Sequence, residues 1–337
     1  MDLKTYILRR LILMVFVVWG VLTLTFIISH VIPADPIGAI LGPQAPPELV
    51  EKIRHEWGLD KPLYQQYIDY LINFLRGDLG KSIRTNKPVA YDLMRFFPAT
   101  IELATASLII AILIGIPIGI LSGVKKDTII DHISRLFALT GVSTPVFWLG
   151  LLLLYIFYYK LGILPGPGRL DTYITPPPCI TGLLTLDSLL SGRFDAFINA
   201  VAHLIMPSFV LGFYSAASIA RITRASLLEV LNQDYIRTAR AKGLRERIVI
   251  FRHALRNALI PTVTIIGLTY GSLLEGAVLT ETIFAWPGLG RYSSEACLYM
   301  DFLAIMGSVL LIALIYSLAN LIVDIAYAFL DPRIRYG

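Results

Sequence analysis

Six apolar runs dominate the pattern of this chain, each close to the roughly 20 residues that a bilayer-crossing helix needs. They lie at about Leu11–Ile32, Ala99–Val124, Leu136–Tyr158, Val201–Ala220, Leu259–Leu279 and Leu303–Phe329. The fourth is the weakest, being short and rich in Ser, Gly and Ala. None is dense in charge at its centre. The pattern predicts an all-α membrane protein with six transmembrane helices. The first run follows Lys4, Arg9 and Arg10, as a signal sequence would, but it is too long for a secretory apolar region and no A-x-A site follows it. It reads as an uncleaved span.

Between the runs the pattern changes period. From Pro33 to Pro98 the chain is too long for a plain connection. Pro47 and Pro62 open stretches whose apolar residues recur three or four apart, with Tyr64, Ile68, Leu71, Ile72 and Leu75 on one face. A small helical insertion is predicted here. The long loop Lys160–Ala202 is expected to be irregular, because GILPGPGRL and TPPPC cannot continue a helix. Ala225 to Lys242 reads as an amphipathic helix, with Leu227, Leu228, Leu231, Tyr235 and Ala239 at helical spacing. Gly243 is its stop, with Arg240 and Lys242 in the last turn to suit the dipole. A second helix is expected from about Arg245 into the fifth span, so the two make an elbow. The expected segments are therefore 1–32 (tail and first span), 33–98 (insertion), 99–329 (core, including the loop 221–258) and 330–337 (tail).

Composition supports the membrane reading. Of 337 residues, 56% are hydrophobic and 16% charged, against about a quarter charged in soluble domains. The mean hydropathy is +0.69. Sidedness of Lys and Arg then sets orientation. Lys4, Arg9 and Arg10, then Lys125, Lys126 and Arg135, then the basic segment, then Arg333 and Arg335 all fall on one side. The basic segment alone holds Arg221, Arg224, Arg237, Arg240, Lys242, Arg245, Arg247, Arg252 and Arg256. Both termini are expected in the cytoplasm of a cell whose plasma or inner membrane the chain crosses several times. The 33–98 insertion carries eight basic residues against eight acidic ones, and long loops cross regardless of charge.

Candidate chemistry is sparse. GDLGKS (Gly77–Ser82) lacks the earlier glycine of a phosphate loop, since Leu75 stands there; it reads as a turn ending a helix. His55-Glu56 lacks the second His of a zinc-protease motif, because position 59 is Leu59. No G-x-S-x-G occurs. Cys179 and Cys297 show no metal-ligand spacing. No catalytic, metal or cofactor residue is therefore expected in this chain, and no nucleic-acid partner. Glu275 is expected near the middle of the fifth span, where an ionisable group costs about 2.5–3.5 kcal/mol, so it faces either a translocation path or a neighbouring helix. Asn320 and Asp324 on the sixth run, and Glu102 on the second, read as helix-to-helix polar contacts. Gly115, Gly119 and Gly123 on the second run form overlapping small-x-x-x-small pairs that let helices approach closely. Pro117 lies among them.

Many stretches resemble one family. They are Tyr6–Pro36, GDLGKS, PATIEL (Pro98–Leu103), DYIRTARAKGL (Asp234–Leu244), RHALRNALIP (Arg252–Pro261), GAVLTETIFAWPGLGR (Gly276–Arg291) and DPRIR (Asp331–Arg335). The chain resembles a permease subunit of the ABC importers, in the dipeptide/oligopeptide branch, with the type I permease fold. The resemblance implies that Asp234, Tyr235, Thr238, Ala239, Arg240, Lys242, Gly243, Arg252, His253 and Arg256 belong to a loop that docks on an ATPase. Thr238, Ala239 and Arg240 fill the family's EAA position, and Leu255-Arg256 stands where the broader superfamily has Leu-Pro. It also implies a second homologous permease, two cytoplasmic ATPase subunits holding ATP and Mg²⁺, and an extracytoplasmic solute-binding protein, all assembled in membrane lipid. Peptides are the expected cargo; oligosaccharides, nickel chelates or glutathione are the alternatives. An ion-coupled carrier, a channel or a membrane enzyme is the competing class, separable by whether transport needs ATPase subunits.

Overall fold

The computed structural model describes residues 3–31, 46–56, 60–275 and 277–330, with the side chains of 3–8, 29–31, 49, 50, 53, 56 and 323–330 lying outside the description. The described chain is helical throughout, and its only strand-like pairing is an isolated bridge between Lys81 and Pro88. Five helices are long and apolar enough to cross a membrane: α1 (Leu3–Val31), α4 (Val89–Val124), α8 (Phe194–Leu231), α10 (Glu246–Leu274) and α13 (Phe302–Leu330). α5 (Ile129–Ser143) and α6 (Val146–Lys160) are long and apolar enough only as a pair, bent by 99°, and make a sixth crossing if the pair counts as one span. The third apolar run is thus broken where an unbroken span was expected. The cause is Pro145, which brings no N–H to the helix ladder and pushes its predecessor out of the helical region. Thr144 is accordingly extended, with φ −78 and ψ 122.

The tightest contact in the bundle is between α4 and α8, which run parallel. A Cβ on Gly115 would lie 2.8 Å from the Ala216 carbonyl oxygen, and one on Gly119 would lie 2.6 Å from Thr223 Cβ. Gly123 abuts Leu227 in the same way, and from the other side Gly212 of α8 meets Ile110 and the Ser107 carbonyl. The missing side chains are what let the two backbones touch. Both helices run through their prolines, Pro98 and Pro117 in α4 and Pro207 in α8. The weak fourth run proves the most enclosed: half of its best apolar window is buried in protein. A helix surrounded by other helices has small and hydroxylated residues for packing, so its hydropathy is low for a reason unrelated to depth.

At one end of the bundle, here the elbow end, α8 passes Leu231 and the chain turns back into α10. The opposite, far end carries the insertion and the longer loops. In the insertion, α2 (Pro47–Glu56) and α3 (Leu63–Leu75) form as the periodicity predicts. α3 docks through Tyr67 and Tyr70 onto α1, where Tyr67 shares a 2.6 Å hydrogen bond with Thr23 and Phe26 meets Tyr67 edge-on and stacks on Tyr70. Its Tyr64, Ile68, Ile72 and Leu75 remain exposed. GDLGKS is a turn, with Gly77 and Gly80 both at φ 78. It brings Ser82 to donate a 2.6 Å bond to the buried Asp301 ahead of α13.

Candidate functional site: the glycine elbow

Residues 232–245 connect α8 to α10. α8 continues helically to Leu231, so Arg221 and Arg224 belong to the span and not to a loop. The amphipathic helix expected from Ala225 to Lys242 is divided at Asn232 and Gln233, and a separate helix, α9 (Asp234–Ala241), follows. Gln233 has the extended conformation of an N-cap, with φ −72 and ψ 150. Asp234 adds a favourable negative charge in the first turn. Gly243 then stands at φ 75, in the left-handed region where a Cβ costs roughly 1 kcal/mol. This is the stop that the sequence predicts.

The elbow carries its own core. Leu227, Ile236, Ala239, Val249, Ile250, Ala254, Leu255 and Ala258 form one buried cluster, joining the end of α8, the inner face of α9 and the start of α10. Ala239 is therefore turned inward, not part of a small-residue surface with Asp234, Thr238 and Gly243, which are exposed. Apolar burial of this kind, at about 25 cal/mol per Å², fixes the elbow to the bundle as a rigid piece. Polar contacts lock it further. Arg240 reaches Glu246 through two bonds, of 2.7 and 3.2 Å. Asn257 donates to the Tyr235 hydroxyl at 2.9 Å. Arg237 bonds Asp234 at 3.1 Å. The start of α10 is π-helical over Val249–Ala254, which places Arg252 on the exposed side and His253 half-buried. Arg256, Lys242 and Thr238 are exposed. The result is a rigid, cationic knob standing off the bundle end.

The other polar candidates do not gather with the elbow. Glu102 accepts from Thr185 N and Oγ1 at 2.7 and 2.6 Å and from Arg169, which also lies over the Trp286 ring at 5.3 Å. Its partners belong to the far-end loop and α7 (Leu184–Leu190), whereas a neighbouring span was expected. Glu275 is half-buried and caps α10, which ends at Leu274, so it is not at mid-span. Asn320 is half-buried on α13; the side chain of Asp324 lies outside the described residues. Among the described residues, Thr223 with Thr262 at 3.1 Å and Thr105 with Tyr270 at 3.0 Å make helix-to-helix polar contacts. At the far end the FAWPGLGR stretch wraps a wholly buried Glu281. Its carboxylate accepts from Thr100 Oγ1 at 2.9 Å and Arg291 N at 2.8 Å, and a Cβ on Gly288 would fall 2.4 Å from it. Burial pushes that carboxyl above its ordinary pKa, with those bonds acting against it. Trp286 donates to the Ala99 carbonyl at 2.8 Å. The stretch links α11 (Val278–Ile283) and α12 (Leu289–Leu298) to α4, as a structural latch. Cys179 and Cys297 are both free and exposed.

Sequence reasoning missed one further cluster. Asp131, wholly buried at the start of α5, accepts two bonds from Arg224 at 2.7 and 2.9 Å and one from Ser122 at 2.5 Å. These residues are far apart in the chain, and no periodicity connects them.

The described residues thus form a membrane bundle of five long apolar helices and one bent pair, with a cationic knob at one end. Comparison with known proteins gives the family. Residues 115–336 match the family described as binding-protein-dependent transport system inner membrane component, and residues 3–104 match the N-terminal part of such components. The chain belongs to that family of ABC importer permeases; it is a transport subunit and not an enzyme. It is 50% identical, over 96% of its length and 95% of the relative's, to the probable D,D-dipeptide transport system permease protein DdpB of Escherichia coli (strain K12). It is 46% identical, over 98% and 99%, to the dipeptide transport system permease protein DppB of Alkalihalophilus pseudofirmus. The glutathione transport system permease protein GsiC of Escherichia coli O6:H1 is 38% identical over 98% and 99%. Among solved structures, the inward-facing MetNI methionine ABC transporter has a chain of the same fold, with a TM-score of 0.50 at 17% identity over 72% of this chain and 97% of that one.

Proposed function

We propose that this chain is one permease half of an ATP-driven importer of short peptides. It lines the path together with a second, homologous permease. Two ATPase subunits, which hold the ATP and Mg²⁺, seat the elbow; an extracytoplasmic solute-binding protein delivers cargo to the far end. Both termini and the elbow then lie in the cytoplasm. Peptide cargo is supported by the two relatives named for dipeptide transport, at 50% and 46% identity over nearly the whole chain.

The observation that carries the mechanism is the elbow. Its core anchors it to α8 and α10 at once, while Thr238, Arg240, Lys242 and Gly243 face outward. A push on the exposed face therefore moves both spans together. Packed interfaces switch between discrete arrangements instead of deforming smoothly. The α4–α8 contact makes α4 travel with α8, and the α5–α6 bend provides a joint next to them.

The test is reconstitution of the complete complex in liposomes. Uptake of a labelled dipeptide requires ATP and the ATPase subunits, and uptake without them removes the assignment. Orientation is read separately: with Cys179 and Cys297 replaced by Ser, a Lys242→Cys variant is labelled by an impermeant maleimide only from the ATPase side.

A further inference from the structure

The cavity of about 350 Å³ between α4, α5 and α8 near the elbow end is not used by the mechanism above. Its volume falls in the ~300–1,000 Å³ range of small-ligand sites. Three guanidinium groups line it: Arg135 on α5, and Arg221 and Arg224 on α8. The remaining wall is mostly aliphatic and includes Ile118, Leu139 and Val142. Cationic and apolar residues are separated along the bundle axis. α8 runs toward the elbow, so Arg221 and Arg224 lie in its last turns. α5 starts at the elbow end, so Arg135 is in its second turn, while Leu139 and Val142 lie one and two turns deeper. Ile118 is likewise inward of the end of α4 at Val124.

The charges do not cancel. Asp131 neutralises Arg224 through their paired bonds. Arg135 stands 3.8 Å from the same carboxylate, and its other contact is with the His132 ring at 2.6 Å. Arg221 is exposed and has no ion pair among the described residues. Asp131 thus serves Arg224 and Arg135, Asp127 also acts on Arg224, and Arg221 is left without a carboxylate partner among the described residues. A guanidinium matches a phosphate geometrically through paired N–H donors. The aliphatic depth of the cavity suits acyl chains, and Leu139 and Val142 in its wall are themselves exposed on α5. A peptide path would need polar groups for the peptide backbone along that depth, and the deeper wall supplies few.

We propose that this cavity binds an anionic phospholipid, with the phosphate on Arg135 and Arg221 and an acyl chain along Leu139 and Val142. Basic pockets between helices on the cytoplasmic side are a recurrent way of holding anionic headgroups. Arg224 is excluded as the primary ligand because Asp131 already occupies its fork; it shapes the site by fixing α5 against α8. The inference rests on the orientation proposed above only for the name of the leaflet. A lipid so placed wedges the mouth between α5 and α8, next to the elbow's lever arm.

The experiment uses the complete complex purified in mild detergent, examined by native mass spectrometry with added phosphatidylglycerol, phosphatidylethanolamine or glycerol 3-phosphate. Wild type retains phosphatidylglycerol in preference to phosphatidylethanolamine, and millimolar glycerol 3-phosphate does not displace it. The double variant Arg135→Ala/Arg221→Ala loses that preference by about tenfold while assembly with the other subunits is unchanged. Leu139→Trp fills the cavity, leaves every cation in place and reduces retention as well. Equal retention by the double variant overturns the proposal. So does displacement by glycerol 3-phosphate, which would mean a free-phosphate site, or disulfide cross-linking of Leu139→Cys to the second permease, which would mean that a protein covers the cavity. Labelling of Lys242→Cys from the opposite side would overturn the orientation and leave these lipid readouts intact.

Discussion

At the residue scale, two kinds of position decide the structure: glycines that permit contact and buried charges that demand a partner. Gly119 is the first kind. With Thr223 Cβ 2.6 Å from where a Cβ would stand, Gly119→Val must separate α4 from α8. Overpacking typically costs about 1–3 kcal/mol. We expect a clear fall in the melting temperature of detergent-purified protein, while Gly20→Ala, with nothing within 4 Å, leaves it unchanged. Arg224 is the second kind. Arg224→Ala strands the buried Asp131 carboxylate, and breaking such a pair costs on the order of 3 kcal/mol. Asp131→Asn in the same chain recovers most of the loss, which a double-mutant cycle on thermal stability measures; simple additivity of the two would refute the pairing.

At the element scale, the elbow and the far-end loop behave as units. Gly243 has open space around its missing Cβ but a left-handed φ of 75. The demand is on backbone conformation, which Asn and Asp meet better than other residues. Gly243→Asn therefore preserves the turn. Gly243→Asp preserves it too but adds a negative charge to the exposed face, and we expect uptake to fall at least tenfold with insertion intact. Equal uptake by the Asn and Asp variants would show that this face meets no partner. In the far-end loop, Asp187 on α7 accepts from Thr181 N and Oγ1 at 2.7 and 2.6 Å and from Gly182 N at 3.0 Å. Burial by itself would raise its pKa, but these bonds outweigh burial and hold the carboxyl below its ordinary value. A depressed folded-state pKa stabilises the loop above the unfolded value of about 3.9 and loses that contribution as pH falls through the folded value. Hydrogen exchange at Thr181 and Gly182 should accelerate below about pH 4. Asp187→Asn should show faster exchange already at neutral pH, with little further change on acidification.

At the scale of the whole molecule, the chain is a lever and a bent gate around one central helix. α8 touches α4 along its length, shares the elbow core with α10, and is joined to α5 by the Asp131 pair. A motion entering at α9 passes into α8 and α10 together, and α8 carries it on to α4 and α5. Loosening the α5–α6 joint is then expected to change transport more than stability. Pro145→Ala restores a backbone donor and favours a straighter Ser143–Val146 junction. Spin labels on α5 and α6 should report a longer end-to-end distance, with dipeptide uptake reduced and the melting temperature little altered. An unchanged distance would show that packing, and not the proline, holds the bend.

The apolar helices of the bundle, the insertion helices, the glycine stop at position 243 and the family were all readable from the chain, because each depends on local pattern: length of apolar run, helical period, one residue's allowed φ. Only the tertiary structure decided that α8, one of the two least hydropathic spans, is the central one, that Ala239 faces the elbow core, that Glu275 caps a helix, and that Glu102 serves a loop. It also revealed Asp131 with Arg224 and the cavity beside them. Such facts depend on which surfaces meet across the bundle, and a one-dimensional pattern records how apolar a position is but not what stands opposite it.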